Sequence, residues 1–301
     1  MHRYLARTRG RLVDEAGRLW SRHHPPFEQL AGLTPIAASP AEPTYLFGTR
    51  DLVISRAVFE HSGYEEDELR WVLDWLGQPQ RGRTVVDVGA NIGTTSIPLL
   101  VRYGAACVEA FEPDELNFDL LRCNLILNHV EAKAVASRLA VSDTNGEVTF
   151  ELCSWNFGDH RVRVRDATAG THGEGSRPTV VVPSARLDDA VTAAPDEIGL
   201  VWVDAQGHEA HILEGGERLL DHGIPWVIEY WPYGLTRQGG LDRLNKALAH
   251  RFSHVVDVRR SMTEKRAVLV ETASLGRIAT ELGDDYTDFI LVPEAPAAGL
   301  R

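Results

Sequence analysis

Short apolar runs alternate with segments of helical period from residue 84 onward. Thr84–Val88, Ala106–Phe111 and Ala134–Ala140 are too short for helices and apolar enough to form buried strands. Between them, Thr94–Tyr103 and Asp114–Asn128 have the length and the apolar spacing of helices. Repeated strand–helix–strand order is typical of right-handed crossovers, so the pattern predicts a mostly parallel sheet.

The same alternation returns in the second half of the chain. It predicts two strand–helix pairs and two final strands, at Gly199–Asp204, Glu209–His222, Trp226–Trp231, Leu241–His250, Ser253–Val258 and Asp288–Pro293. Between the halves, Glu147–Leu152, His160–Val164 and Thr179–Val182 are predicted as additional strands, with a mobile loop at Asp166–Pro178. We therefore expect an α/β fold with a doubly wound, seven-stranded, mostly parallel sheet whose last strand is antiparallel.

The N-terminal region has a different pattern. Residues 1–64 are predicted to form an extension and cap, because a connector rich in Pro and Ala precedes alternating segments over Tyr45–Phe59 that suggest a hairpin. Glu65–Leu76 has apolar residues at helical spacing and acids in its first turn. This pattern predicts a helix at the start of the main domain, residues 65–295.

Composition narrows the classes of function. The 301 residues carry a formal net charge of −12, which argues against a general nucleic-acid binder because phosphate neutralisation needs a basic face. Cys107, Cys123 and Cys153 fit neither a disulfide framework nor a cysteine-based zinc site and suggest a reducing compartment. No apolar run is long enough for a membrane span. We expect a cytoplasmic protein without membrane or nucleic-acid partners; a homodimer stays open.

A glycine turn follows the first predicted strand, in the segment Val85–Gly93. Gly89 and Gly93 allow a tight turn and a close approach of a ligand to the backbone, at the sheet edge where α/β folds bind ligands. The G-x-x-x-G spacing differs from the dinucleotide fingerprint, and no Lys follows as in a phosphate-binding loop. Asp87 would repel a pyrophosphate and suits a ligand with ammonium and sulfonium charges. The motif therefore favours an adenosyl group over a phosphate.

Acidic residues also follow the second and third predicted strands. Glu112 comes about 20 residues after the glycines, where an acid can accept both ribose hydroxyl groups. Ser142 and Asp143 end the third strand, where a small polar segment could border an adenine. The alternative is that Glu112 and Asp143 only cap the next element, and for Asp143 both interpretations stay open.

These segments together resemble class I methyltransferases, and specifically the FkbM family of O-methyltransferases. The resemblance covers roughly Leu52 to Pro293 and rests on Asp87–Gly93, Phe111–Pro113, Leu139–Asp143 and Val203–Glu209 with Leu213–Gly215. It implies a Rossmann-like fold and S-adenosylmethionine as cofactor. The expected cofactor set is Asp87, Gly89, Ala90, Asn91, Gly93, Glu112, Pro113, Ser142, Asp143 and Asp204.

One residue departs from the family pattern. The family usually has an acid where this chain has Gln206, in a pattern close to Asp-x-Glu-Gly-x-Glu. Gln keeps the hydrogen-bonding shape but loses the charge and the ability to act as a base. Any role that needs a carboxylate at this position is therefore in question.

Methyl transfer to a hydroxyl group usually needs a proton acceptor within hydrogen-bond reach. His208, after the fourth strand, is the expected base because its unperturbed pKa lies near neutrality, although a solvent-facing role in the first helical turn is an equal alternative. Asp204 is expected to orient a substrate hydroxyl or the base, and Glu229 to accept a substrate hydroxyl. The family resemblance also suggests that Asn156 and His160 reach the pocket. The candidate catalytic set is His208, Asp204, His160 and Glu229.

Metal binding is not expected, because the spacing of Asp204, His208, His211 and Glu229 matches no recognised ligand pattern. The predicted function is S-adenosylmethionine-dependent O-methylation of a hydroxyl on a small molecule or a sugar-bearing natural product. One alternative is N-methylation with the same cofactor. The other is a non-catalytic cofactor-binding protein, which only Gln206 supports.

Overall fold

The computed structural model describes residues 42–163 and 170–292, together with residues 34–39, 27, 29 and 30. The predicted extension before residue 27 and the start of the predicted loop, residues 166–169, lie outside this part. The strands in chain order are β1 Ile36–Ala38, β2 Leu46–Gly48, β3 Thr84–Val88, β4 Cys107–Phe111, β5 Ala134–Ser137, β6 Ala140–Ser142, β7 Gly146–Glu151, β8 Arg161–Val162, β9 Thr179–Arg186, β10 Ile198–Val203, β11 Trp226–Tyr230, β12 His254–Asp257, β13 Leu269–Glu271 and β14 Thr287–Leu291.

The helices connect these strands and cover both faces of the main sheet. They are α1 Ile54–His61, α2 Glu66–Trp75, α3 Ser96–Val101, α4 Glu115–Leu127, α5 Leu187–Ala190, α6 Glu209–Gly215, α7 Glu217–Asp221, α8 Pro232–Arg237, α9 Leu241–Arg251, α10 Val258–Glu264 and α11 Leu275–Leu282. The predicted helix Glu209–His222 is interrupted at Gly216, where a Cβ would lie 2.8 Å from the Trp226 ring.

The main sheet is doubly wound, with strand order β13-β12-β14-β11-β10-β3-β4-β5. β3, β4, β5, β10 and β11 are parallel, and the last strand β14 is antiparallel to β11, as predicted. The predicted count of seven strands is wrong for the described residues, which form eight. β13 is the additional strand: it pairs antiparallel with β12 at the edge, and its three residues are too short for a periodic signal.

Alternate residues of the central strands pack on opposite faces of this sheet. Val85 and Leu200 belong to one hydrophobic cluster, whereas Val86 and Val201 belong to the other. Burial on both faces explains why these strands are nearly continuous apolar runs. Asp87 is the polar exception within β3, at 1% exposure.

A smaller four-stranded sheet, in the order β6-β9-β7-β8, packs beside the main one. The predicted strand Ala134–Ala140 is therefore two strands: β5 pairs with β4 in the main sheet, and β6 pairs in parallel with β9. β9 continues to Arg186, four residues beyond its predicted end. The break between β5 and β6 places Ser142, the last residue of β6, next to helix α6, which contacts β6.

The cap differs from the predicted hairpin. β2 pairs antiparallel with β1, and the second half of Tyr45–Phe59 begins helix α1. Phe27, Tyr45 and Phe47 are buried in the hydrophobic cluster that also covers one face of the main sheet. The described part of the cap is thus continuous with the core.

Candidate active site

The glycine turn lies between β3 and β10, at the carboxyl edge where the strand order reverses. Gly89 has a φ of +87°, and a Cβ there would lie 1.8 Å from the carbonyl oxygen of Asp204. Only glycine fits this contact, which brings the backbone of Asp204 against the turn. Gly93, with a φ of +96°, packs so closely on Ile97 and Leu121 that a Cβ would lie 2.9 Å from both side chains.

Glu112 follows β4 and is 4% exposed. Its Oε2 accepts the backbone N–H of Asn91 at 2.8 Å, and its Oε1 accepts the backbone N–H of Asp114 at 2.8 Å. Burial raises the pKa of this carboxyl to about 8. The two N–H donors fix the carboxyl beside the turn, and each oxygen keeps a lone pair for a further donor.

A cavity of about 600 Å³, here called the glycine-turn cavity, opens between this turn and the smaller sheet. Gly89, Asn91, Glu112, Pro113 and Asp204 line its polar end. The other end is apolar and is formed by Leu139, Ala140, Val141, Phe150, Val162 and Ile212. Ala90 is buried next to the turn and donates its N–H to the carbonyl of Phe111.

Asp87 lies behind the turn, in a recess that it lines with Tyr64, Thr94, Thr95 and Asp204. Its Oδ2 accepts the hydroxyl of Ser96 at 2.5 Å. Burial raises the pKa of Asp87 to about 7, and the hydrogen bond from Ser96 opposes this rise. The recess therefore presents a buried carboxyl that a cationic group would keep ionised.

His208, the residue expected to act as base, is buried and does not face solvent. His208 is 5% exposed and lines the glycine-turn cavity, with Nε2 2.9 Å from the Ser142 hydroxyl and its ring stacked on His211 at 4.2 Å. Burial, followed by the neighbouring His211, lowers the pKa of His208 to about 3. Such an imidazole is neutral and weakly basic, so its position and pKa both argue against the role of base.

His160, which was expected to reach the pocket, also lines the glycine-turn cavity. Its Nδ1 accepts the backbone N–H of Cys153 at 3.0 Å, and its ring packs 5.4 Å from the ring of Phe157. Burial lowers the pKa of His160. The structure thus brings both candidate histidines to the same cavity.

Two predicted adenine contacts lie outside the residues that line this cavity. Ser142 is buried and bonds to His208, so it supports the wall from behind. The Oδ2 atom of Asp143 lies 3.5 Å from the guanidinium of Arg243 on helix α9. Arg243 also forms an ion pair with Glu214 on helix α6. The side chain of Asp143 therefore has a structural partner.

A second cavity, of about 1010 Å³ and here called the acidic cavity, adjoins the first. Its acidic lining consists of Glu65, Asp204, Glu229, Asp284, Asp285 and Asp288, besides Asp159, which pairs with Arg161 and Arg177. Its aromatic lining consists of Tyr64, Trp155, His172, Trp231 and Tyr286. Asp204 and Gln206 line both cavities and thus form their junction.

Gln206 joins the two acids at this junction. With a φ of +54°, it donates its amide N–H to Asp204 Oδ1 at 2.9 Å and to both carboxyl oxygens of Glu229 at 3.2 Å. Burial raises the pKa of Asp204 to about 6, and the bond from Gln206 opposes this rise. Burial, followed by Asp204 and Glu209, raises the pKa of Glu229 well above its ordinary value. A glutamine here supplies a donor where an acid would add a further like charge.

A family model described as the methyltransferase FkbM domain matches residues 87–265. The chain belongs to the FkbM methyltransferase family. Methyl transfer is therefore its class of reaction, and the family implies S-adenosylmethionine as the methyl donor.

Individual relatives of this FkbM chain are distant. It is 28% identical over 183 residues to the methyltransferase sdnD of Sordaria araneosa, covering 51% of this chain and 69% of that protein. It is 24% identical over 159 residues to the 2-O-methyltransferase NoeI of Sinorhizobium fredii, covering 50% of this chain and 63% of that protein. A solved FkbM methyltransferase from Methylobacillus flagellatus is 17% identical with a TM-score of 0.41, covering 70% of this chain but 44% of that one.

The FkbM match contains the glycine turn, Glu112, Gln206 and Glu229, whereas Glu65 and Asp288 lie outside it. Sequence analysis identified neither of these as a site residue. The sequence pattern around Glu65 predicts only the start of a helix, and the pattern around Asp288 predicts only a strand. Their approach to Asp204 depends on the packing of helix α2 and strand β14, for which no local signal exists.

Two further findings concern the described residues alone. Within residues 42–163 and 170–292 and the short stretches before them, no group of three or more His, Cys, Asp or Glu side chains is arranged to hold a metal ion. In the same part of the chain, no helix combines the length and apolar character needed to cross a membrane.

Proposed function

We propose that this chain is an S-adenosylmethionine-dependent O-methyltransferase that binds its cofactor in the glycine-turn cavity and its acceptor in the acidic cavity. The observation that carries the proposal is the position of Asp204. This carboxyl lines both cavities, and its backbone touches the glycine turn. A group at the junction can contact an acceptor while the cofactor occupies the other side.

The residues of the glycine-turn cavity fit an adenosyl group. Glu112 offers carboxyl oxygens to the ribose hydroxyls, and the apolar end formed by Leu139, Val141 and Phe150 suits an adenine ring. Asp87 in the recess suits the cationic amino-acid end of the cofactor. When bound, S-adenosylmethionine supplies an electrophilic methyl group on a sulfonium.

Asp204 is the proposed proton acceptor in place of His208. A carboxyl with a pKa of about 6 is ionised at neutral pH and is more basic than an ordinary aspartate. It takes the hydroxyl proton on Oδ as the acceptor oxygen becomes nucleophilic. Gln206 fixes the orientation of this carboxylate through Oδ1. Glu229, held by the same amide, is proposed to position the acceptor.

The acidic lining favours oxygen over nitrogen as the nucleophile. Carboxylates stabilise an amine in its protonated form, which has no free electron pair for methyl transfer. A hydroxyl group is neutral and needs only an adjacent base, which Asp204 supplies. The name of the 2-O-methyltransferase NoeI supports the same choice. Gln206, the one feature that suggested a non-catalytic protein, instead bridges two acids of the proposed site.

The test is transfer of a labelled methyl group from S-adenosylmethionine to panels of polyols, with and without amino groups, and of amines that lack hydroxyl groups. We expect a methyl ether among the polyol products, identified by tandem mass spectrometry, and about 10²–10⁴-fold slower formation of it with Asp204→Asn. Methylation of the amine panel alone would contradict O-methylation. Cofactor binding without transfer to either panel would favour the non-catalytic alternative.

A further inference from the structure

The acidic cavity has an unbalanced charge. Asp159 is paired with Arg161 and Arg177, but none of the cavity-lining residues among those described is Lys or Arg. The remaining carboxyl groups therefore share the described wall with no Lys or Arg, and Arg161 behind the ring of Trp231 only partly offsets the rise in the pKa of Glu229. Like charges at this density oppose ionisation, and a bound cation would reverse that effect.

The side chain of Asp288 pairs with another carboxyl group. Asp288 is 7% exposed, and its hydrogen-bond partner is the carboxyl of Glu68, which is also buried. The Oε1 atom of Glu68 has no partner among the described residues. Two buried carboxyl groups in contact are costly to ionise, and an ammonium group brings three donors.

The strand register brings a second acid to the same point. Glu229 on β11 pairs directly with Asp288 on β14, so the two side chains lie on one face about 5 Å apart at Cβ. Like charges in this arrangement destabilise a sheet unless something lies between them. Burial, followed by Glu68, raises the pKa of Asp288 well above its ordinary value.

The cofactor's own charges lie elsewhere. Asp288 and Glu229 line the acidic cavity but neither the glycine-turn cavity nor the recess of Asp87. A metal ion does not fit either, because the described residues contain no cluster arranged to ligate one. The charge at Asp288 and Glu229 therefore suits an organic cation that enters with the acceptor.

The aromatic side chains of this cavity agree with that chemistry. Trp155 is 48% exposed beside the acids, and Tyr64 lies deeper. Two further rings are already in contact with a cation. The Arg161 guanidinium lies 4.8 Å from the ring centroid of Trp231. The Arg259 guanidinium lies 3.8 Å from the ring centroid of Tyr286. Aromatic faces within about 6 Å of a cation stabilise it, so the open faces favour an ammonium group or a sugar ring.

We infer that the acceptor is a hydroxylated organic cation, of the amino-sugar class, whose ammonium group binds between Asp288 and Glu229. This inference rests on the proposed function, because it places the acceptor hydroxyl at Asp204 while the ammonium anchors the molecule deeper in the cavity. The ammonium stays protonated there and is not methylated. Glu229 and Asp288 act as specificity-determining residues.

The experiment compares two ligands with identical hydroxyl groups. Neamine, a two-ring amino sugar, and its fully N-acetylated form are titrated calorimetrically into the full chain in the presence of saturating S-adenosylhomocysteine. We expect wild type to bind neamine about tenfold or more tightly than the acetylated form, the scale of a hydrogen bond to a charged group. Asp288→Asn keeps the shape of the side chain and should remove most of this difference.

Asp119→Asn is the matched control, because Asp119 is exposed and its replacement changes the net charge by the same amount. If both variants weaken neamine equally, the binding is general attraction to an acidic surface and the inference is wrong. Equal wild-type affinity for both ligands also overturns it. If S-adenosylhomocysteine still binds in these cases, the proposed cofactor site stands and only the acceptor class fails; if it does not bind, both fail. Should Asp288→Asn not fold, Glu229→Gln gives the same comparison.

Discussion

The two cavities that meet at Asp204 are built in opposite ways. The glycine-turn cavity joins an apolar slot to one fixed carboxyl, Glu112, and its histidines are neutral. The acidic cavity is lined by acids and aromatic rings that no basic side chain of the described lining balances. The first suits a ligand recognised mainly by shape and two hydroxyl groups. The second suits a ligand recognised by charge, and this difference supports the proposed assignment of cofactor and acceptor to separate cavities.

The largest expected effect is at the junction of the two cavities. Asp204→Asn should lower kcat by about 10²–10⁴-fold, the usual scale for a general base. In wild type, kcat should fall below about pH 6, because Asp204 then takes up a proton and can no longer accept one. Single-turnover kinetics at saturating cofactor measures both.

The control for this prediction is Asp221→Asn, since Asp221 pairs with Arg251 at the exposed end of helix α7. It should leave kcat unchanged. A near-normal rate for Asp204→Asn would show that alignment alone drives transfer and that the junction holds no base.

A smaller effect is expected within the glycine-turn cavity. Glu112→Ala should weaken S-adenosylmethionine binding by about 1–3 kcal/mol, because it removes a hydrogen-bond acceptor for the ribose hydroxyl groups. The kcat at saturating cofactor should change little. Calorimetry measures the affinity, and unchanged binding would remove Glu112 from the cofactor site.

The position of Gly89, Asp87 and Glu112 at one sheet edge could be predicted from the sequence because the signals are local. Gly89, Asp87 and Glu112 stand at the ends of two short apolar runs, and parallel strands bring such ends to one edge. The acidic side could not, because Glu65 and Asp288 are 223 positions apart and meet only through tertiary packing. The burial of His208 could not be predicted for a related reason. Its motif predicts a helix start, but the split of β5 from β6 decides that its ring faces Ser142.

The pH dependence of stability tests the acids of both cavities. Burial raises the pKa of Glu112 from 4.5 to about 8 and that of Asp204 from 3.8 to about 6. The folded chain therefore binds these protons more tightly than the unfolded chain, and the stability they provide is lost as pH rises from about 3.8 through about 8. The melting temperature without cofactor should fall between about pH 6.5 and about pH 8.5.

Glu229→Gln should flatten this decrease, because it removes one of the carboxyl groups whose pKa is raised. Differential scanning calorimetry on both proteins across the same buffers makes the comparison. A melting temperature that rises with pH over this range would show that the buried acids ionise without cost.

No effect is expected from chelation. The described residues around both cavities offer no ligand cluster, so turnover should survive dialysis against EDTA. Loss of activity that Mg²⁺ restores would contradict this and would identify Asp204 and Glu229 as metal ligands, with the acidic cavity as a metal site.

The proposal that the cofactor binds in the glycine-turn cavity and the acceptor in the acidic cavity is tested most directly by calorimetric titration of S-adenosylhomocysteine into two variants. His208→Ala should weaken binding by about 1–3 kcal/mol, because it removes a wall of the glycine-turn cavity and one of the two hydrogen-bond partners of the Ser142 hydroxyl. Glu229→Gln should bind as wild type does, because Glu229 lines only the acidic cavity. The reverse result, with normal affinity in His208→Ala and lost affinity in Glu229→Gln, would contradict the assignment of the two cavities.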